Sequence, residues 1–296
     1  MVKISPYGTS KSWIIYLFKY NYCIGYTMDR LAGLGKLSRK RLSDVLRNSK
    51  GCISVSLVAE TLNVSREQAR LYLSSWAKNG WLRRVRRGLY FPVDIAAETT
   101  DGGVLDPWVI ASQIFSPCYI GGWSAAKHWD FTEQIFESTI VFTSRRLNQK
   151  EQSIAGLTFL IKKSASDKMF GLKSVWKDQI KVQVSDPHKT IIDMFDDLSI
   201  GGGIRSVVDF FQKYLSSSEC DLNILIQYAE KMNNKAIFKR LGFVLSKIKP
   251  DEMHWIAQCL SHLSQGNSQL DPASKGKRLI KKWRLWVPEG LEEGFR

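Results

Sequence analysis

Between Trp81 and Val93 the chain reads WLRRVRRGLYFPV, which sets four guanidinium groups, Arg83, Arg84, Arg86 and Arg87, within five positions. Arginine stays charged at any physiological pH and carries a fork of N–H donors that matches phosphate or carboxylate oxygens. Like charges at this density repel one another and must each stay hydrated, so they add little to a fold. A polyanion is the partner they suit. The segment just before them, REQARLYLSSWAK, supplies Arg66, Gln68, Arg70, Ser74 and Lys78. Side chains of these types hydrogen-bond to phosphate oxygens and base edges, Arg70 being the base-reading candidate and Arg66 and Lys78 the phosphate-binding ones.

Catalytic chemistry is poorly represented. The chain has no H-E-x-x-H, no G-x-S-x-G and no Asp-x-Lys or Glu-x-Lys pair, and GLGK at 33–36 lacks the rest of a phosphate-binding loop. Gly201-Gly202-Gly203 lies between two helical stretches with no lysine following, which reads as a loop. Of the four histidines only His128, with Asp130 beside Trp123 and Trp129, resembles a site, and packing accounts for it better. The five cysteines are odd in number, widely spaced and never in a C-x-x-C pair, so no disulfide framework, zinc site or other cofactor is expected. A reducing cytoplasm fits them.

The elements that would position the basic residues can be read from spacing. Leu42, Val45 and Leu46 place a helix in LSRKRLSDVLRNSKG, closed by Gly51. Leu57, Val58 and Leu62 give a second, shorter one. Ser65-Arg66-Glu67-Gln68 is a capping box opening a third helix, along which Ala69, Tyr72, Leu73 and Trp76 form a buried stripe opposite Glu67, Arg70, Ser74 and Lys78. That spacing makes Tyr72 and Trp76 core residues rather than base-stacking groups. Asn79-Gly80 ends the helix, and WLRRV and LYFPV follow as a hairpin turning at Arg86-Arg87-Gly88. Three helices and a hairpin, with a short turn between the second and third helices, make a winged helix-turn-helix. Its third helix would enter the major groove, and its hairpin tip would lie against the backbone or the neighbouring minor groove.

Charge supports this placement. The formal net charge is +15, and residues 28–93 hold 14 Lys or Arg against 4 Asp or Glu, whereas residues 94–296 hold 26 against 24. A localised basic excess attracts nucleic acid or an anionic surface. Residues 1–27 read as an extension outside the fold, with Met28 as an alternative start and a membrane-surface anchor as the competing reading. Their apolar stretch WIIYLFKYNYCIGY is broken by Lys19 and Asn21 and falls short of the roughly 20 apolar residues of a membrane span.

After Pro92 the texture changes to mixed α/β. DPWVIASQIF reads as a helix, PCYIGGWSAAKHW as a helix opened by glycines, and STIVFTSRR, GLTFLIKK, SVWKD and QIKVQVS as strands. Asp186-Pro187 caps and starts the helix through TIIDMF. Three or four helices fill 203–264, and RLIKKWRLWVP suggests a final strand. The fold class is thus α+β: a winged helix-turn-helix over 28–93, then a mixed α/β domain over 94–296 with a helical C-terminal part.

The runs GWLRRVRRGLYFPV, DPWVIASQIFSPCYIGGWSAAKHWDFTEQ, VSDPHKTIIDMF with GGG after it, NNKAIFKRLGFVL and LDPASKG with WRLWV resemble, in order and spacing, the AbiEi family of antitoxins. The resemblance spans Leu31 to Val287. It implies a cytoplasmic bacterial antitoxin of a type IV, abortive-infection system that represses its own operon by binding double-stranded operator DNA. It also implies an α/β antitoxin domain and a functional pairing with a nucleotidyltransferase-like toxin, without a stable complex between the two. Binding as a dimer to inverted repeats, and no role at a membrane, go with this reading. The residues alone leave two alternatives open, a nucleic-acid-modifying enzyme with a winged-helix docking module and a winged helix that binds protein.

Overall fold

The computed structural model describes residues 33–49, 51–93, 106–177, 180–274 and 276–290. The readings of residues 1–27 lie outside that set. The N-terminal part runs α1 (Lys36–Asn48), β1 (Ile53–Ser54), α2 (Val55–Leu62), α3 (Arg66–Lys78), β2 (Leu82–Arg86) and β3 (Leu89–Pro92). Each helix starts or stops where its residues require. The Ser54 and Ser65 hydroxyls accept from the Leu57 and Gln68 amides at 3.2 Å, satisfying donors that the first turns of α2 and α3 leave unpaired. Between them Asn63 takes the left-handed conformation, with φ of 50°, which a short polar side chain tolerates. Leu42, Val45, Val58, Ala69, Leu73 and Trp76 meet in one core, and the Trp76 indole N–H donates to Ser38 Oγ at 2.9 Å, fastening α3 to α1. Strand β1 was not expected, because two residues are too few to show an alternation. It pairs antiparallel with β3, giving a three-stranded sheet of order β1-β3-β2.

The two faces of this small sheet bury different things. Leu82 and Tyr90 complete the three-helix core. Val85, Leu89 and Phe91 point the other way and join a second core with Val109, Ile110, Ile120, Val141, Val182 and Val184. The junction has polar contacts as well, with Cys52 Sγ donating to Gln113 Oε1 at 3.0 Å and Arg83 donating to the Ala155 carbonyl at 3.4 Å. At Gly51 a Cβ would lie 2.0 Å from Ile180 Cδ1, so the backbone there is pressed against the larger part of the molecule.

That larger part is built on a six-stranded sheet. Its elements are α4 (Pro107–Ile114), β4 (Cys118–Ile120), α5 (Gly122–His128), β5 (Ser138–Thr143), β6 (Glu151–Ile154), β7 (Leu157–Lys163), β8 (Leu172–Lys177) and β9 (Ile180–Ser185). The strand order is β6-β7-β5-β4-β9-β8, with β5 parallel to β7, β4 parallel to β9 and the other pairs antiparallel. Alternation along the strands separates two cores. Ile120 and Val141 face α4 and the hairpin, while Tyr119, Ile140 and Phe142 face the helices α6 (Pro187–Asp196), α7 (Ile204–Leu215), α8 (Leu222–Lys231), α9 (Lys235–Ile248) and α10 (Met253–Ser261). Asp186 caps α6 and Pro187 is its first residue, as the sequence predicts. Two strands were not foreseen: β4 is three residues long and runs straight into the glycines of α5, and β6 is a largely exposed edge strand with one apolar residue.

The single strand expected over 278–288 is instead a hairpin of β11 (Arg278–Ile280) and β12 (Leu285–Val287), joined in a third sheet by β10 (Ser268–Gln269). Lys281 and Lys282 begin the turn, Arg284 takes a φ of 53°, and Trp283 drops into the helical core against Gly242, where a Cβ would lie 2.3 Å from the indole.

In the core between the sheet and α6, Lys189 and Asp193 form a completely buried ion pair one helical turn apart. Tyr119 on β4 donates to the second oxygen of Asp193 at 3.0 Å and accepts from Lys189 at 3.3 Å. Burial lifts the Asp193 carboxyl above its ordinary range, while Lys189 and the Tyr119 hydrogen bond pull it back down. Asp193→Ala would strand the lysine without its counter-charge, and urea unfolding should show a loss of about 3–5 kcal/mol. Joint replacement, Lys189→Met with Asp193→Leu, should recover most of that loss. A single replacement as mild as the double one would mean the pair is not a structural unit.

Candidate nucleic-acid interface

Helix α3 presents Arg66, Glu67, Gln68, Arg70, Leu71, Ser74, Ser75 and Lys78 to solvent, while Ala69, Leu73 and Trp76 are buried on its other side. The five predicted residues of this helix therefore share its open surface. Tyr72 is half-buried, stacks on Trp76 at 5.9 Å, and has the Arg41 guanidinium 4.9 Å above its ring. It belongs to the packing, as its spacing predicts. Glu67 is the one acid of the exposed surface. Its carboxyl is held below the ordinary range by a backbone hydrogen bond first, then by Ser65, with Arg70 and Arg66 contributing. The apolar Leu71 is a member of this surface that polar spacing passes over, because a leucine in an amphipathic helix is ordinarily assigned to the core.

The four hairpin arginines do not share one environment. Residues 82 to 85 alternate between the two cores, so Arg83 emerges on the side of Val85 and is half-buried against the β6–β7 turn. Arg84 emerges on the side of Leu82 and is exposed. The register then shifts, Arg84 opposing Tyr90 while Arg86 opposes Leu89, and this bulge carries Arg86 and Arg87 outward at the tip. Gly88 closes the turn with φ of 77°. Arg84, Arg86 and Arg87 are thus exposed, and Arg83 braces the hairpin.

The features that suggested other chemistry are accounted for locally. His128 packs edge-on to Trp108 at 5.3 Å and Trp129 at 4.6 Å, in an open cleft of about 480 Å³ that Trp123, Lys127 and Lys177 also line. Burial, followed by Lys177, lowers its pKa, and Asp130 raises it only in part. After the glycines the Ile204 amide donates to Asp271 Oδ2 at 3.2 Å, so a carboxylate already occupies the start of α7 where a phosphate would sit. Among the described residues no cluster of three or more His, Cys, Asp or Glu side chains could hold a metal ion, and no helix is long and apolar enough to cross a membrane.

Residues 40–92, from α1 to the last residue of β3, match a family model described as "Transcriptional regulator, AbiEi antitoxin". That segment is similar to the AbiEi antitoxin regulators. No curated protein matches the chain. Among solved structures, the crystal structure of RV2827C protein from Mycobacterium tuberculosis is similar, with a TM-score of 0.58 at 12% identity, covering 87% of this chain and 93% of that one. At that identity the likeness is one of fold, and it extends well beyond the AbiEi-type segment.

If the hairpin tip meets phosphates, Arg86→Ala with Arg87→Ala should weaken binding to all duplexes alike. The slope of log K against log salt should fall in magnitude by roughly 1.8, or about 0.9 per contact. The thermal midpoint should barely move, because exposed charges contribute little to folding. Gly88→Val should act oppositely. An added Cβ meets only Val55 Cγ2, at 3.8 Å, so the cost comes from the left-handed backbone, and stability and binding should fall together. A salt slope that survives the arginine double replacement in folded protein would take the tip out of the interface.

Proposed function

We propose that the chain is the antitoxin and autorepressor of a bacterial type IV toxin–antitoxin system, acting in the cytoplasm. In this reading residues 28–93 form a winged helix-turn-helix that binds double-stranded operator DNA, and residues 94–296 form the antitoxin domain. The observation that carries it is the set of exposed basic side chains on α3 and the neighbouring hairpin. The side chains of Arg66, Arg70, Lys78, Arg84, Arg86 and Arg87 make no hydrogen bond or ion pair with other described residues. Cations held rigidly from behind and uncommitted in front are what a phosphate backbone selects. Helix α3, opened by Ser65, lies in the major groove, Arg70 reads a base, and Arg66 and Lys78 neutralise phosphates. Two copies bind inverted repeats, as one recognition helix per half-site requires.

The antitoxin domain is nearly neutral, which suits a task other than DNA binding. It is paired functionally with a nucleotidyltransferase-like toxin and forms no stable complex with it. Because Val85, Leu89 and Phe91 cover the core around α4, a cut at residue 94 would bare an apolar face. The two activities are therefore better separated by surface substitutions in the full chain.

Binding of the full chain to the duplex upstream of its own gene, titrated over salt, is the direct test. Arg70→Ala should cost about 1–3 kcal/mol at one or two operator positions and leave the fold intact. In cells, the same substitution combined with Arg86→Ala and Arg87→Ala should release transcription of the operon while protection from the toxin persists. Absence of salt-dependent duplex binding would overturn the DNA reading and favour a winged helix that binds protein.

A further inference from the structure

Leu71 is 69% exposed at the centre of the open surface of α3. Solitary exposed apolar side chains are ordinary, and Leu37, Ile135, Trp176 and Met253 are others on this molecule. What distinguishes Leu71 is its surroundings. Residues three and four apart share a helix face, so Glu67 lies one turn before it and Ser74 and Ser75 one turn after, all exposed. The core on the other side of α3 is completed by Ala69, Leu73 and Trp76, none more than 1% exposed, and makes no use of it.

A leucine has no donor or acceptor, so set against most base edges it would only displace water from polar groups and leave them unpaired. In the major groove the one methyl group among the four bases is that on C5 of thymine, and 5-methylcytosine shows the same group. We infer that Leu71 contacts a pyrimidine 5-methyl group in the major groove and is a specificity-determining residue of the operator. The inference rests on the placement of α3 in that groove.

The test uses the full chain and the tightest duplex it selects from a random-sequence pool. Each thymine is replaced singly by deoxyuridine, which keeps the pairing edge and removes only the methyl. Each cytosine is likewise replaced by 5-methylcytosine. At one or two positions wild-type protein should lose about fourfold in affinity on thymine replacement, the effect of one buried methylene-sized group. Leu71→Ala should bind the thymine duplex about as weakly as wild type binds the deoxyuridine one, and should no longer distinguish them. Leu71→Met should keep the discrimination. A gain on methylating a cytosine, abolished by Leu71→Ala, would support the same contact with 5-methylcytosine as its source. Tight, salt-dependent binding that is indifferent to every methyl, or a discrimination that survives Leu71→Ala in folded protein, would overturn this inference alone. Failure to select or bind any duplex would overturn it together with the DNA reading.

Discussion

The β2–β3 hairpin is buried on both faces, and the rest of the molecule is arranged around that constraint. Leu82 and Tyr90 are needed by the three-helix core, and Val85, Leu89 and Phe91 by the core between α4 and the six-stranded sheet. A two-stranded hairpin is marginal in water by itself. Here it gains a third strand from β1 and apolar cover above and below. Its strands cannot slip by one residue, because a slip would turn the two apolar sets away from the cores that need them and turn arginines toward those cores. The register that satisfies both cores also fixes where each arginine points. The bulge after Arg84 then takes the tip away from the packed region, and Arg86 and Arg87 leave the sheet where apolar cover ends.

Much of the fold was legible in the sequence wherever a pattern was long enough to repeat. The three N-terminal helices, the hairpin with Gly88 at its turn, the strands through STIVFT, LTFLIKK and IKVQVS, and the Asp186-Pro187 start of α6 all occur where periodicity and capping chemistry put them. What escaped were short or atypical pieces. β1 and β4 are two and three residues long, and β6 is an exposed edge with the sequence EQSI. Trp283 interrupts what looked like one terminal strand, because it satisfies a cavity over Gly242 that only the tertiary structure creates. For the candidate interface, local pattern located the basic residues. It could not tell Arg83 from Arg84, since only knowledge of what packs on each face of the hairpin separates them.

The two halves of the chain use cations in different ways. Beyond residue 106 several basic side chains are committed to partners within the molecule, some at the surface and two in the core. Arg145 donates to the Ile114 carbonyl at 2.8 Å, Lys162 pairs with Asp197 at 2.7 Å, Lys173 with Glu219 at 3.2 Å, and Arg240 donates to the carbonyls of Phe195 and Asp196 at 2.8 and 3.0 Å. Buried, well-bonded Arg240 and Lys189 hold α6 and α9 in place, and their loss would be felt as stability. The exposed arginines of α3 and the hairpin tip contribute little of that kind. A fold under pressure only for stability would have no reason to gather them, and mutual repulsion would favour their dispersal. Their concentration on elements that are anchored from behind means that little backbone ordering is left for the moment of binding, although the side chains themselves still have to be ordered. That is the physical reason to regard these side chains, rather than the buried Lys189 and Arg240 of the larger part, as the ones shaped by a partner.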